Sequence, residues 1–273
     1  MLRDRILTAL ILIPVFLAIV LLLPAKHFAI VTGILVIVSA WEWSYLMGVK
    51  RFPKNILYPF FMIIFLVLTI YLLYRHIVSV PMILSAAFIF WLLATVLVIS
   101  YPKISAIWGK SILLRAIMGI MVLIPCLVAI NFIRIFPFGT AILLFLFVII
   151  WGADSGAYFV GRKWGKSKLA PLVSPGKSWQ GLIGALLTTI IIVLAASLGF
   201  QLPYSLWGPL LLLALITVVF SVIGDLFESM LKRNEGLKDS SQLLPGHGGI
   251  LDRIDSLTAA APIFALGAMW LGK

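Results

Sequence analysis

The chain has 273 residues, of which 63% are hydrophobic and 11% charged, with a mean hydropathy of +1.19. A soluble domain carries about 25% charged residues, so this composition argues against a soluble enzyme and for a polytopic membrane protein. The formal charge of +12, from 21 basic and 9 acidic residues, lies mostly in short segments between apolar runs. That arrangement suits topology and anionic lipid or nucleotide phosphates better than nucleic acid.

Nine apolar runs are long enough to be read as spans: 6–24, 28–47, 56–74, 80–99, 112–133, 138–153, 182–200, 206–225 and 257–272. Backbone polar groups in lipid must be satisfied within the segment, so each run is expected as a helix and the fold class as all-α. The first run follows Arg3, Asp4 and Arg5. It is too long for a signal-peptide core and no small-residue cleavage site follows, so it reads as a retained span. The last run is short, and is expected to sit among other helices or to thin the bilayer locally. Cys126, the one cysteine, lies within an apolar run and reads as a buried, inert thiol.

Loop charges orient these spans. With nine crossings, Lys26, Arg75, Arg134 and Lys273 fall on one side, and the other seventeen basic residues on the opposite side. The positive-inside rule then places the N-terminus in the cytoplasm and the C-terminus outside; the expected location is a bacterial-type inner or plasma membrane. Arg115, one turn into its span, is expected to snorkel outward. The expected organisation is an N-terminal scaffold of about four spans (1–111), a middle pair (112–153) and a catalytic region (154–273). The last holds three spans and two cytoplasmic loops, 154–181 and 226–256.

Those loops concentrate the polar chemistry. Asp225, Glu228, Ser229 and Lys232 are spaced i, i+3, i+4, i+7, which is one face of a continuing helix. Asp252 and Asp255 repeat the i, i+3 spacing after a turn containing Gly246, His247, Gly248 and Gly249. Glycines there let backbone N–H groups approach an anion. Each pair read alone also fits a solvated helix end, a flexible turn or capping aspartates. Together, at one membrane face, they suggest a divalent-metal site, and hard oxygen ligands favour Mg²⁺. A second metal or a monovalent ion is left open. His247 can donate to a phosphate.

In the loop 154–181, Gly165, Lys166 and Ser167 suggest a P-loop, but Val160 stands where that motif needs glycine and no strand precedes it. What remains is a cationic, glycine-rich loop carrying Asp154 and the turn Ser174 to Ser178. Glu42, between Trp41 and Trp43, reads as a snorkelling carboxylate in an aromatic belt.

The stretch from Ser229 through Lys232, Arg233, Lys238, Asp239, His247, Gly248, Gly249, Asp252 and Arg253 to Asp255 resembles the signature of phosphatidate cytidylyltransferases (CDP-diacylglycerol synthases). Asp154, Gly156, Gly161, Arg162, Lys166, Lys177 and Gly181 also look like that family. Ser155, Ser178 and Gln180 depart from its usual threonines and glutamate, so no catalytic duty is placed on Gln180. The resemblance implies Mg-dependent transfer of CMP from CTP to phosphatidic acid, giving CDP-diacylglycerol and pyrophosphate. On that basis Asp225, Asp252 and Asp255 are expected to hold Mg²⁺, with Glu228 or Asp154 as additional ligands. Lys177, Lys232, Arg233, Lys238 and Arg253 would bind the phosphates of CTP and lipid, while Gly248 and Gly249 would admit close backbone approach. Expected partners are CTP, phosphatidic acid and membrane lipids, with a homodimer an allowed assembly. The rival readings are a CTP-dependent polyprenol or lipid kinase and, with less support from the charge placement, a membrane transporter.

Overall fold

The computed structural model describes the backbone of residues 2–271 and the side chains of residues 8 and 10–271. Its elements in chain order are α1 (Leu2–Leu22), α2 (Ala25–Leu46), α3 (Lys54–Tyr74), α4 (Val80–Ile99), the single turn α5 (Ser105–Trp108), α6 (Ile112–Arg134) and α7 (Gly139–Trp164). A hairpin of β1 (Lys168–Ala170) and β2 (Ser174–Ser178) follows, then α8 (Trp179–Gly199), α9 (Tyr204–Asn234) and α10 (Leu251–Leu271). This is an integral membrane protein of helical class. Among the described residues, eight helices, α2, α3, α4 and α6 to α10, are long and apolar enough to cross a bilayer. The remaining expected span, the first run at 6–24, corresponds to α1, whose apolar part Leu10–Leu22 is shorter.

Four sequence expectations change. The helix expected to end at 153 continues to Trp164, and the one expected to end at 225 continues to Asn234. Asp154 is therefore helical rather than in a loop, and the helix that the spacing of Asp225, Glu228, Ser229 and Lys232 implied continues through Asn234. The last helix starts at Leu251, so with 21 residues it is of ordinary spanning length. The shortened connector after α7 folds into an antiparallel hairpin, with Lys168 opposite Ser178. The helix extensions follow from uninterrupted helical spacing with no proline until the connectors. At about 1.5 Å per residue, the 31 residues of α9 exceed a hydrocarbon core of about 30 Å, so one end of α9 projects from it.

α9 packs most extensively against α10 and also against α8 and α4, while α6 lies against α10 and α2. The core between them buries Trp43, Trp91, Phe227 and Phe264. Trp43 Nε1 donates to the Arg115 carbonyl at 2.9 Å and Tyr58 to that of Ala116 at 2.8 Å, satisfying polar atoms that have no water to bind. Outward faces carry Phe60, Phe61, Leu92, Leu93 and Ile191, as a lipid-contacting surface requires. Ser111 and Ser178 cap α6 and α8 by accepting from Leu114 N and Gly181 N.

Candidate active site

One end of the bundle gathers the acidic and basic residues. On α9, Ser229 Oγ donates to Asp225 Oδ1 at 3.2 Å, and Lys177 Nζ from the end of β2 reaches Asp225 Oδ2 at 2.7 Å. This contact joins the two polar connectors through a helix and a strand. One turn further along α9, Lys232 Nζ lies 2.7 Å from Asp252 Oδ1 on α10 and 3.1 Å from Glu228 Oε1. The approach to Glu228 is off-axis, and both of its buried carboxylate oxygens lack a hydrogen-bond partner. Glu228 is 3% exposed and Lys232 7%.

α9 and α10 meet closely because Gly224 has no side chain: a Cβ there would come within 2.6 Å of the Asp255 carbonyl. Asp255 is half-buried and lies within electrostatic range of Asp225, Lys232 and Lys177. Asp154, exposed on α7, interacts in the same way with Lys177 and Asp225. Five carboxylates, Asp154, Asp225, Glu228, Asp252 and Asp255, thus surround two lysines, Lys177 and Lys232. The formal charge of this group is negative, and an added cation would offset it.

Asp252 faces protein donors rather than open space. Its Oδ2 accepts from Ser240 N at 2.9 Å, Ser240 Oγ at 2.9 Å and Gly249 N at 2.8 Å, besides the Lys232 contact at Oδ1. Glu42 completes this arrangement from α2. Fully buried, it accepts from Ile250 N at 2.9 Å, Leu251 N at 2.6 Å and Ser241 Oγ at 2.6 Å. A carboxylate on a distant helix therefore caps α10, doing for its N-terminus what a local N-cap side chain ordinarily does. Gly249 sits between Ser240 Oγ and the Glu42 carboxylate, where any Cβ would collide with both. Gly248 adopts φ +83°, a left-handed conformation that glycine takes without strain.

Glu42 was not expected here. It does not snorkel, and the signal for it was an acid set among apolar residues at depth, which is costly unless satisfied. Arg115 also departs from expectation. It is buried rather than snorkelling, pairs with Glu235, and donates to the Leu46 carbonyl at 3.0 Å. Asn234 Nδ2 donates to the Gly109 carbonyl at 3.0 Å, tying the end of α9 to the connector before α6.

The remaining expected residues divide in two. Arg233 spends Nε on the Val173 carbonyl at 3.2 Å and an Nη on that of Leu237 at 3.1 Å, which staples the hairpin to the connector after α9. Lys238, His247, Gly248 and Arg253 line a surface cavity of about 690 Å³. Among the described residues, no three acidic, histidine or cysteine side chains converge as a ready cation cage. The donor chemistry nevertheless fits Mg²⁺: the acids are hard oxygen ligands, and Glu228 Oε2 is buried with no hydrogen-bond donor, its Oε1 being ion-paired with Lys232.

Fold and site together define a membrane-embedded protein whose acid–lysine cluster lies where helices and polar connectors meet, a setting for phosphate chemistry beside lipid. The chain belongs to the Cytidylyltransferase family, whose model matches residues 3–270. It is 43% identical over 265 residues to a phosphatidate cytidylyltransferase of Pseudomonas aeruginosa, covering 97% of this chain and 96% of that protein. It is 40% identical over 283 residues to one of Haemophilus influenzae, covering 97% and 98%. A phosphatidate cytidylyltransferase of Staphylococcus epidermidis is 44% identical over 125 residues, which is 46% of this chain and 48% of that protein.

Proposed function

We propose that this chain transfers CMP from CTP to phosphatidic acid, forming CDP-diacylglycerol and releasing pyrophosphate. The observation that carries this reading is its likeness, over nearly the whole of both chains, to two proteins named phosphatidate cytidylyltransferase. The site chemistry agrees with it. A phosphate oxygen of the lipid forms a bond to the α-phosphorus of CTP, and the bond from that phosphorus to the oxygen bridging to the β-phosphate breaks. The attacking oxygen is already anionic at neutral pH, so no side chain need remove its proton. The barrier is the approach of two anions and the charge that grows on departing pyrophosphate.

Lys177, partly exposed beside Asp225, is placed to leave that carboxylate and meet a phosphate. Lys238, His247 and Arg253 supply donors along the cavity they line. Lys232 is held between two acids and serves mainly to keep α9 and α10 in register. Asp225 and Asp255, with Glu228 or Asp154, are the residues that would hold Mg²⁺. Bound there, the ion would supply charge neutralisation to the reacting phosphates. Asp252, occupied by Lys232, Ser240 and Gly249, is assigned to ordering the connector. On this reading the catalytic region 154–273 also draws on Glu42 from the N-terminal scaffold.

The cytoplasmic placement of the site rests on loop charge and is supported by one contact, while a bacterial-type inner membrane is inferred from the bacterial relatives. Thr8 Oγ1 in α1 donates to the Pro245 carbonyl at 3.0 Å, so the start of α1 lies at the same end as the site. The deciding experiment incubates purified protein with CTP labelled in the base, phosphatidic acid and Mg²⁺. Base label retained on the lipid, with one pyrophosphate per product, supports the proposal. Transfer of phosphate alone would identify a lipid kinase instead.

A further inference from the structure

Next to the cation-lined cavity lies a second one of about 390 Å³. One side is α2, where Trp41 and Tyr45 stand a turn apart with ring centroids 5.0 Å apart and planes at 78°. The other side is the connector after α9. Lys238, Asp239 and Gln242 line both cavities, so the two adjoin along a shared wall. One end of the combined trough is aromatic, and the other carries His247 and Arg253.

We propose that the Trp41–Tyr45 cavity takes the pyrimidine ring of the nucleotide, while the adjoining cationic cavity takes its phosphates. The inference rests on the reading of this chain as a CTP-dependent transferase and names the base subsite of that same site. Its size is within the range of about 300–1,000 Å³ usual for small-ligand pockets. Half-buried aromatic rings lining a cavity walled by a polar connector do not behave as interfacial anchors, which turn their rings to lipid. They do offer a stacking surface for a planar heterocycle, with the cation-bearing side in the direction the phosphates need.

The polar wall matches the edge of cytosine as well. That edge presents an amino donor beside ring acceptors. A carboxylate such as Asp239 accepts from the amino group, and the Gln242 amide can both donate and accept. The wall is held in place from below. Ser241 Oγ donates to Glu42, which lies between Trp41 and Tyr45 in sequence, and Ser240 is fixed by Asp252. The same carboxylate that caps α10 thus sets the distance between the aromatic floor and the polar wall.

The test compares the wild type with Trp41→Leu and Tyr45→Ala, each checked for intact folding by gel filtration and thermal unfolding in detergent. The Michaelis constant is measured for CTP at saturating phosphatidic acid, and for phosphatidic acid at saturating CTP. The expected result is a rise of about tenfold in the CTP constant, the loss of one base–aromatic stack, with the lipid constant within about twofold of wild type. An unchanged CTP constant in folded variants, or a rise in the lipid constant instead, overturns the subsite. Gln242→Ala, on the exposed connector, gives an independent arm if the aromatic variants fail to fold. Preference for CTP over UTP should narrow in that variant, and an unaltered preference counts against the proposal. A wild type that makes no nucleotide-linked lipid would instead defeat the reading on which the subsite rests.

Discussion

Glu42 on α2 accepts the backbone N–H of Leu251 at 2.6 Å, across 209 positions of sequence. The carboxylate holds the first turn of α10, and with it the backbone that presents Asp252 and Asp255. Removing it would leave the N–H groups of Ile250 and Leu251 buried without an acceptor. Each such loss costs about 1–3 kcal/mol. Glu42→Ala should therefore be destabilised by about 3 kcal/mol or more and be nearly inactive, whereas Glu42→Gln, which keeps one acceptor oxygen, should recover part of both. Thermal unfolding and turnover measured on the same preparations check this. A stable and fully active Glu42→Ala would remove the capping role.

Lys232 stands between Glu228 and Asp252, and all three side chains are less than one-tenth exposed. Deleting one partner of a buried charge pair leaves the other uncompensated, at a cost of about 3–5 kcal/mol. Lys232→Met should lose that much stability. Lys232→Met combined with Asp252→Asn should lose less than the sum of the two single changes, by more than about 0.5 kcal/mol of coupling. A double-mutant cycle of unfolding free energies in detergent reads this directly, and strict additivity would contradict the pairing.

The acids differ in what they have left to offer a cation. Asp252 is already met by Lys232, Ser240 and Gly249, whereas Asp225 is met by the partly exposed Lys177 and by Ser229 and Glu228 by the Lys232 ion pair at Oε1 alone. Asp225→Asn and Asp255→Asn should raise the Mg²⁺ concentration for half-maximal activity by about tenfold or more, the effect of losing one charged ligand. Asp252→Asn should leave that concentration close to wild type while lowering the unfolding temperature. A Mg²⁺ titration of the three variants separates ligand from organiser. The assignment fails if Asp252→Asn shows the largest shift.

Arg115 and Glu235 tie α6 to the end of α9, and neither side chain lines either cavity. Glu235→Gln should lower stability by about 1–3 kcal/mol, because it leaves a buried guanidinium with a weaker partner. The Michaelis constants for both substrates should stay within about twofold of wild type. Steady-state kinetics beside thermal unfolding test the separation. A large rise in either constant would place the pair nearer the chemistry than its contacts indicate.

Much of the helix placement was legible in the chain. The run at 80–99 coincides with α4, and the run at 112–133 with α6 to within a residue, since hydrophobic length is a local property. The ends of α7 and α9 were misplaced for a related reason. Hydropathy marks where lipid ends, but a helix continues into water as long as its spacing and propensities permit. The hairpin at Lys168–Ser178 was missed because its two strands are only three and five residues long. Such short strands carry too little alternation to be distinguished from a loop.

The site divides in the same way. Asp225, Glu228, Ser229 and Lys232 could be placed on one face from their i, i+3, i+4, i+7 spacing alone. The meeting of Asp225 with Lys177, the enclosure of Asp252 by Ser240 and Gly249, and the arrival of Glu42 from α2 could not.

Sequence alone established the membrane class, the helical architecture and the family, because apolar run length, charge placement and motif spacing are all written along one strand of chain. Tertiary packing decided which acids are engaged by protein donors and which remain open. It also decided that Glu42 on α2 caps the last helix. Those outcomes depend on distances between residues tens to hundreds of positions apart, which exist only once α2, α9 and α10 have packed together.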